Sequence, residues 1–250
     1  MARRRKLVAG NWKMHGLRAD LPEIAAIDAA AAAHGDVDVA LCVPATMIAL
    51  AADAAEHLAI GAQDCHGSAR GAHTGCLSAD MLHEAGARLV IVGHSERRAD
   101  QNETSHDAWA KAAAARAEGM EVILCVGETG AERDAGRAAR VVQAQMEKAV
   151  PEDASGDWFT LAYEPRWAIG TGQTPTADEI AAIHAVARDR LAVMLGAEAA
   201  AGIRILYGGS VSAANAAAIL RLPDVDGALV GGASLSAAKF VPIIEAAAQA

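Results

Sequence analysis

The sequence predicts a closed (β/α)8 barrel, eight parallel strands ringed by helices, and three observations carry that expectation. Eight short apolar runs recur along the 250 residues, each followed by a longer Ala-rich segment. The runs are apolar with little alternation, the mark of strands buried on both faces and therefore paired in parallel beneath helices. A doubly wound sheet would carry a GxGxxG turn after its first strand, whereas here that strand ends in Asn11-Trp12-Lys13. The length suits one such barrel, so residues 1–250 are expected to form a single domain.

In chain order the expected strands are residues 7–11, 39–43, 59–64, 89–93, 122–127, 159–163, 203–207 and 227–230, each bounded by Gly, Asp, Asn or Pro. The segments between them have the helical period. Val142, Met146, Ala149 and Val150 form one apolar stripe, and Phe240, Ile243, Ile244 and Ala247 form another. Two helix starts fit the cap-x-x-Glu pattern, in which side chain and backbone satisfy each other's amides: Asp20-Leu21-Pro22-Glu23 and Thr176-Ala177-Asp178-Glu179.

Composition excludes several partners. Hydrophobic residues make up 53% of the chain, ample for a large core, and the formal charge of -9 opposes binding to a nucleic-acid backbone. The one basic run, Arg3-Arg4-Arg5-Lys6, is expected to be a solvated chain start. No apolar stretch approaches the ~18 residues of a membrane span, and the chain start lacks a signal-peptide hydrophobic region, so a cytoplasmic protein without membrane contact is expected. Cys42, Cys65, Cys76 and Cys125 have no metal-ligand spacing and read as reduced thiols. The nine histidines show no HExxH pairing, so no metal is expected.

Barrels of this kind gather functional groups at the C-terminal ends of their strands, which makes a filter for polar residues. At the end of the first strand, Asn11 and Lys13 are two apart and would both face the mouth, with Trp12 turned outward. The fourth strand ends in Gly93-His94-Ser95-Glu96, where a helix start would disfavour positive charge on His94 and leave it a neutral donor. The sixth delivers Glu164, followed by a loop with glycines and Trp167 suited to act as a lid. The seventh and eighth end in Gly208-Gly209-Ser210 and Gly231-Gly232-Ala233-Ser234, loops whose amides can grip a phosphate.

A base, a neutral donor, a cation, an amide and a phosphate cradle together suit proton abstraction beside the carbonyl of a small phosphorylated sugar. Glu164 would take the proton, His94 and Asn11 would stabilise the enediolate oxygens, and Lys13 would offset the developing charge. Neither a metal nor an organic cofactor is required. Two alternatives stand beside this one: an isomerase of a longer sugar phosphate, and a barrel retained only for binding, which would have no need of Glu164 or His94.

These same motifs, Ala9-Gly10-Asn11-Trp12-Lys13, Gly93-His94-Ser95-Glu96-Arg97-Arg98, Tyr163-Glu164-Pro165, Trp167-Ala168-Ile169-Gly170-Thr171-Gly172, Tyr207-Gly208-Gly209-Ser210 and Gly231-Gly232-Ala233-Ser234, resemble the triosephosphate isomerase family across essentially the whole chain. The resemblance implies interconversion of dihydroxyacetone phosphate and glyceraldehyde 3-phosphate, and acid/base and lid roles that follow the worked case of that family itself. It further implies Gly170, Ser210, Gly231 and Gly232 as phosphate contacts and Glu96 as an acid beside Lys13. A homodimer is implied as well, with the loop Gly71–Ser78 inserted into its partner near Asn11 and Lys13. Three departures stand out: Arg166 in the lid's leading hinge, Gln173-Thr174-Pro175 in its trailing hinge, and His73 and Cys76 in the dimer loop. Arg166 is expected to point to solvent or to a carboxylate such as Glu128.

Overall fold

Successive residues of a strand face opposite ways, and here that alternation divides the core in two. The computed structural model describes residues 4–169 and 173–250. Within it Leu89 and Ile91 belong to an inner cluster with Ala9, Cys42, Ile123 and Leu206, while their neighbours Val90 and Val92 join the outer cluster beneath the helices. The strands are β1 (Leu7–Asn11), β2 (Asp38–Cys42), β3 (Ala59–Ala62), β4 (Leu89–Val92), β5 (Glu121–Val126), β6 (Phe159–Tyr163), β7 (Arg204–Tyr207) and β8 (Gly227–Val230). They pair in sequence order, all parallel, and β8 closes onto β1 with Leu7 opposite Gly227. Every strand therefore ends on the same face. Predicted and observed strands differ by at most two residues at any end.

The Phe240 stripe is buried within the helix Ala237–Ala248, and Val142, Met146 and Ala149 are buried in the helix Ala138–Ala149. Thr176 caps the helix Ala177–Leu195 as expected, its hydroxyl accepting from the Glu179 amide at 3.2 Å while Glu179 accepts from the Thr176 amide at 2.7 Å. The other cap differs. Asp20 accepts from the Leu17 amide at 2.7 Å, and Glu23 reaches across to the Ala237 amide at 2.6 Å, so it caps the last helix instead of its own. Among the described residues no helix is long and apolar enough to cross a membrane.

Of the run Arg3-Arg4-Arg5-Lys6, Arg3 lies outside the described residues and Arg5 is exposed, whereas Arg4 and Lys6 are partly buried. Arg4 pairs with Asp226 at 2.8 Å, Arg5 pairs with Asp38 at 2.8 Å, and Lys6 donates to the Leu220 and Val225 carbonyls. Arg188 binds Asp226 at 2.7 Å and Asp224 at 2.9 Å, which joins the run to the helix Ala177–Leu195. These contacts close the barrel's N-terminal face.

His184 lies above that network, fully buried, its Nδ1 donating to the Asp224 carbonyl at 2.9 Å. Burial lowers its pKa from 6.5 to about 4, against the pull of the Asp224 carbonyl and the nearby carboxylates. The unfolded chain therefore binds this proton more readily than the folded one. Stability from this group is full above pH 6.5 and is lost as pH falls towards 4, by at most about 3 kcal/mol. Glu103, whose folded pKa is also depressed, loses its contribution at lower pH, and His94, raised beside Glu164, contributes below pH 6.5 and loses that as pH rises. Comparison with His184→Asn isolates the single group: the wild-type unfolding free energy should fall more steeply between pH 6.5 and 4.5 than the variant's. Parallel curves would refute this assignment.

Candidate active site

The chain leaves β6 still bonded to β5, the Glu164 amide donating to the Val126 carbonyl at 2.7 Å, and this sets the Glu164 side chain inside the mouth. It is 2% exposed. One carboxylate oxygen lies 3.0 Å from His94 Nε2, and the other accepts from the Ser95 amide at 3.0 Å. His94 forms the N-cap of the helix Ser95–Asp100, and its Nδ1 accepts from the Glu96 amide at 3.3 Å. An amide donating to Nδ1 places the ring's proton on Nε2, facing Glu164.

Two forces act on this pair in opposite directions. Burial opposes charge on the His94 ring, as the sequence suggested for a helix start, but the Glu164 carboxylate beside it outweighs burial and draws the pKa upward. Burial likewise opposes charge on Glu164, and His94, the Ser95 amide and Lys13 together hold its carboxyl below the ordinary range. Glu164 thus rests as a carboxylate with both oxygens engaged.

β1 delivers Asn11, buried, and Trp12, whose indole turns away from the mouth and donates to the Ser234 carbonyl at 2.9 Å. Lys13 reaches the mouth by a route that alternation does not give. It lies beyond the strand with φ 53°, its amide donating to Asn11 Oδ1 at 3.0 Å in a tight turn. Its ammonium is then held by Glu96 at 2.6 Å.

Loops after β7 and β8 supply the opposite wall of a cleft of about 310 Å³, lined by Asn11, Lys13, His94, Glu164, Ile169, Ser210, Gly231 and Gly232 among others. Gly208 is needed for a reason other than phosphate: a Cβ there would lie 2.8 Å from the Cγ of Glu164. The Ser210 hydroxyl donates to the Ala168 carbonyl, in the loop after β6, at 3.0 Å. After β8, Ser234 folds back onto the Gly231 carbonyl through its amide at 2.8 Å and its hydroxyl at 2.7 Å, opening the short 3-10 turn Gly232–Leu235 beside the cleft. Gly170 falls outside the described residues, as do Thr171 and Gly172.

The start of the loop after β6 rests on Glu128, a buried carboxylate that accepts from the Trp167 indole at 2.7 Å and the Tyr163 hydroxyl at 3.1 Å. Arg133 stacks over the Trp167 ring, 3.9 Å from its centroid. Arg166 does not pair with the Glu128 carboxylate. Its backbone amide donates to the Glu128 carbonyl at 3.0 Å, while its side chain lies partly exposed, with no ion pair among the described residues. The structure thus brings together Asn11, Lys13, His94, Glu96, Glu164, Ser210, Gly231 and Gly232. The contribution of the Ser95 amide, of Gly208 and of Glu128 to Trp167 was not read from sequence. The strand-end filter, applied to β5 as it was to β4 and β6, would have found Glu128.

Comparisons with known proteins agree over almost the full length. The sequence model of triosephosphate isomerase matches residues 6–247. The triosephosphate isomerase of Afipia carboxidovorans is 55% identical over 245 residues, 97% of each chain, and that of Xanthobacter flavus is 54% identical over 247 residues, 98% of each. The crystal structure of triosephosphate isomerase from Bartonella henselae superposes with a TM-score of 0.91 at 39% identity, covering 97% of this chain and 98% of that one. With its closed barrel and a mouth where these strand-end residues meet, the chain belongs to the triosephosphate isomerase family.

Proposed function

We propose that Glu164, His94, Lys13 and Asn11 carry out the family's reaction in this chain, within the single barrel formed by residues 1–250. The enzyme interconverts dihydroxyacetone phosphate and glyceraldehyde 3-phosphate, a step of glycolysis and gluconeogenesis. The 3.0 Å contact between Glu164 and His94 Nε2 carries the assignment, because it sets a buried base and a proton donor side by side in a small cleft. Glu164 takes the proton from the carbon beside the carbonyl, and that bond's electrons form the C=C of an enediolate. The charge passes to the carbonyl oxygen, opposite His94 Nε2, the Asn11 amide and the Lys13 ammonium. A proton then passes from the hydroxyl oxygen of the enediolate to the former carbonyl oxygen by way of His94 Nε2, and Glu164 returns its proton to the neighbouring carbon, whose new C–H bond takes the C=C electrons while the oxygen that lost its proton becomes the new carbonyl.

Substrate must take over the hydrogen bonds that now join Glu164 to His94. Once the carboxylate turns to carbon, the Glu96 amide at Nδ1 keeps the imidazole neutral. Ser210, Gly231, Gly232 and Gly170 hold the phosphate, and Glu96 keeps Lys13 aimed. The cleft of about 310 Å³ sits at the small end of ligand sites, which favours a three-carbon substrate over a longer sugar phosphate. A coupled assay across triose, tetrose and pentose phosphates should find turnover on the triose pair alone. Preference for a longer sugar would overturn this reading of the pocket.

The chain acts as a homodimer, its loop Gly71–Ser78 inserted into a partner. Met14 at 96% exposure, Leu17 at 73% and Met81 at 53% leave apolar surface uncovered near the mouth and that loop. A cleft of about 620 Å³ lined by Lys13, Met14, Cys76 and Glu96 among others lies beside them and would receive the partner's loop. Burial pushes the Cys42 and Cys65 thiols up to about 12 and raises Cys125 as well, leaving Cys76 the exposed thiol. A thiol reagent should therefore modify one cysteine per chain and convert dimer to inactive monomer in sedimentation velocity. Complete modification of Cys76 in an intact, active dimer would contradict this. Reduced thiols also suit a cytoplasmic location.

A further inference from the structure

Two arginines follow one another after the His94 turn, and they are used in opposite ways. Arg97 is paired with the carboxylates of Asp64 at 2.9 Å and Glu103 at 2.7 Å. Arg98 has no carboxylate within ion-pair distance among the described residues. Its Nε donates to the Gly93 carbonyl at 2.7 Å, one terminal nitrogen to the Cys125 carbonyl at 3.2 Å, and the other to the Ser105 hydroxyl at 3.1 Å. Arg98 is half-buried, and a cation drawn part-way out of water and satisfied only by neutral groups carries a desolvation cost that its fork-shaped contacts must offset.

The placement suggests a task for the fork. Gly93 bends through φ 67° to turn His94 into the mouth, and a Cβ there would lie 2.8 Å from the guanidinium, so Arg98 occupies the space that the missing side chain leaves. Cys125 lies on β5, opposite Ala162 of β6, two residues before Glu164. The guanidinium thus ties the end of β4 to the end of β5, one bearing His94 and the other bonded to the strand that bears Glu164. Besides the Cys125 thiol, the charged groups that act on Arg98 are Glu103, Glu164 and the like-charged Arg166; those that act most on Glu164 are His94 and Lys13.

We propose that Arg98 is a positioning residue for the isomerisation: its fork, donating to the Gly93 and Cys125 carbonyls, fixes the spacing of His94 and Glu164. This rests on the assignment of Glu164 as base and His94 as donor. A structural brace alone would affect folding and leave the chemistry of the folded protein unchanged. A positioning role predicts a separation of kinetic constants and a shifted pH profile.

The test compares Arg98→Met and Arg98→Lys with wild type, each checked for folding by circular dichroism. Arg98→Met should lower kcat about a hundredfold with KM changed less than threefold. Removing a cation whose field reaches the Glu164 carboxylate, and loosening the His94–Glu164 contact, both raise that carboxylate's pKa, so the acid limb of kcat/KM should move to higher pH. Titration of the substrate phosphate is common to both proteins and cancels in the comparison. Arg98→Lys keeps the charge but cannot reach both carbonyls; its acid limb should lie closer to wild type than that of Arg98→Met while kcat stays at least tenfold low. Folded Arg98→Met with kcat within threefold of wild type would overturn the proposal, as would an unmoved acid limb. Should Arg98→Met not fold, wild-type kcat in Arg98→Lys overturns it alone. Glu164→Asp assayed in parallel separates the two ideas: unimpaired Glu164→Asp defeats the site assignment, whereas impaired Glu164→Asp beside unimpaired Arg98→Met defeats only the role of Arg98.

Discussion

Glu164→Asp is expected to lower kcat about a hundredfold, close to 2.7 kcal/mol in the barrier, while KM moves less than threefold. The shorter side chain keeps the charge and withdraws the carboxylate by about 1 Å, a displacement of the size that costs such factors when it falls on a reacting atom. The backbone cannot follow, because the Glu164 amide is held by the Val126 carbonyl at 2.7 Å and the following Gly208 amide contact fixes Tyr163 at 2.7 Å. Steady-state kinetics in both directions check this. A KM change that accounts for the whole loss would show that Glu164 binds substrate without reacting with it.

A larger effect is expected from Lys13→Met, which should reduce kcat/KM by at least about a thousandfold, near 4 kcal/mol. Lys13 is the cation that lines the cleft opposite the base, and without it the phosphate and the enediolate both lose their fixed counter-charge. The substitution also frees Glu96, now 2.6 Å from the ammonium, to repel an anionic substrate. The double variant Lys13→Met with Glu96→Gln separates these effects. Recovery of less than tenfold is expected; recovery to near the wild-type rate would mean that Lys13 serves mainly to neutralise Glu96.

Much of the barrel was legible because strands buried on both faces must be apolar at every position, and runs such as Leu89–Val92 have no other ready explanation. The strand-end rule then selected Asn11, Lys13, His94 and Glu164 from a chain with many other polar residues, and the structure brings them to one cleft. What sequence did not show depends on partners far along the chain. Arg4 looks solvated until Asp226 folds against it. Glu23 has the spacing of a local cap, yet the Ala237 amide, 214 residues away, is the group it satisfies. Arg166 was expected to face solvent or a carboxylate such as Glu128; its side chain is partly exposed, and Glu128 is taken by the Tyr163 hydroxyl and the Trp167 indole. Lys13 was placed correctly by strand alternation although a left-handed turn brings it there.

The most direct test of proton transfer through Glu164 is to run the reaction in D2O and examine the product by NMR. Wild-type enzyme should release product carrying solvent deuterium on carbon, since a proton held on a carboxylate can exchange before it returns. Glu164→Gln should lose this incorporation together with turnover. Product formed at the wild-type rate with no carbon-bound deuterium, or undiminished incorporation by Glu164→Gln, would contradict Glu164 as the base.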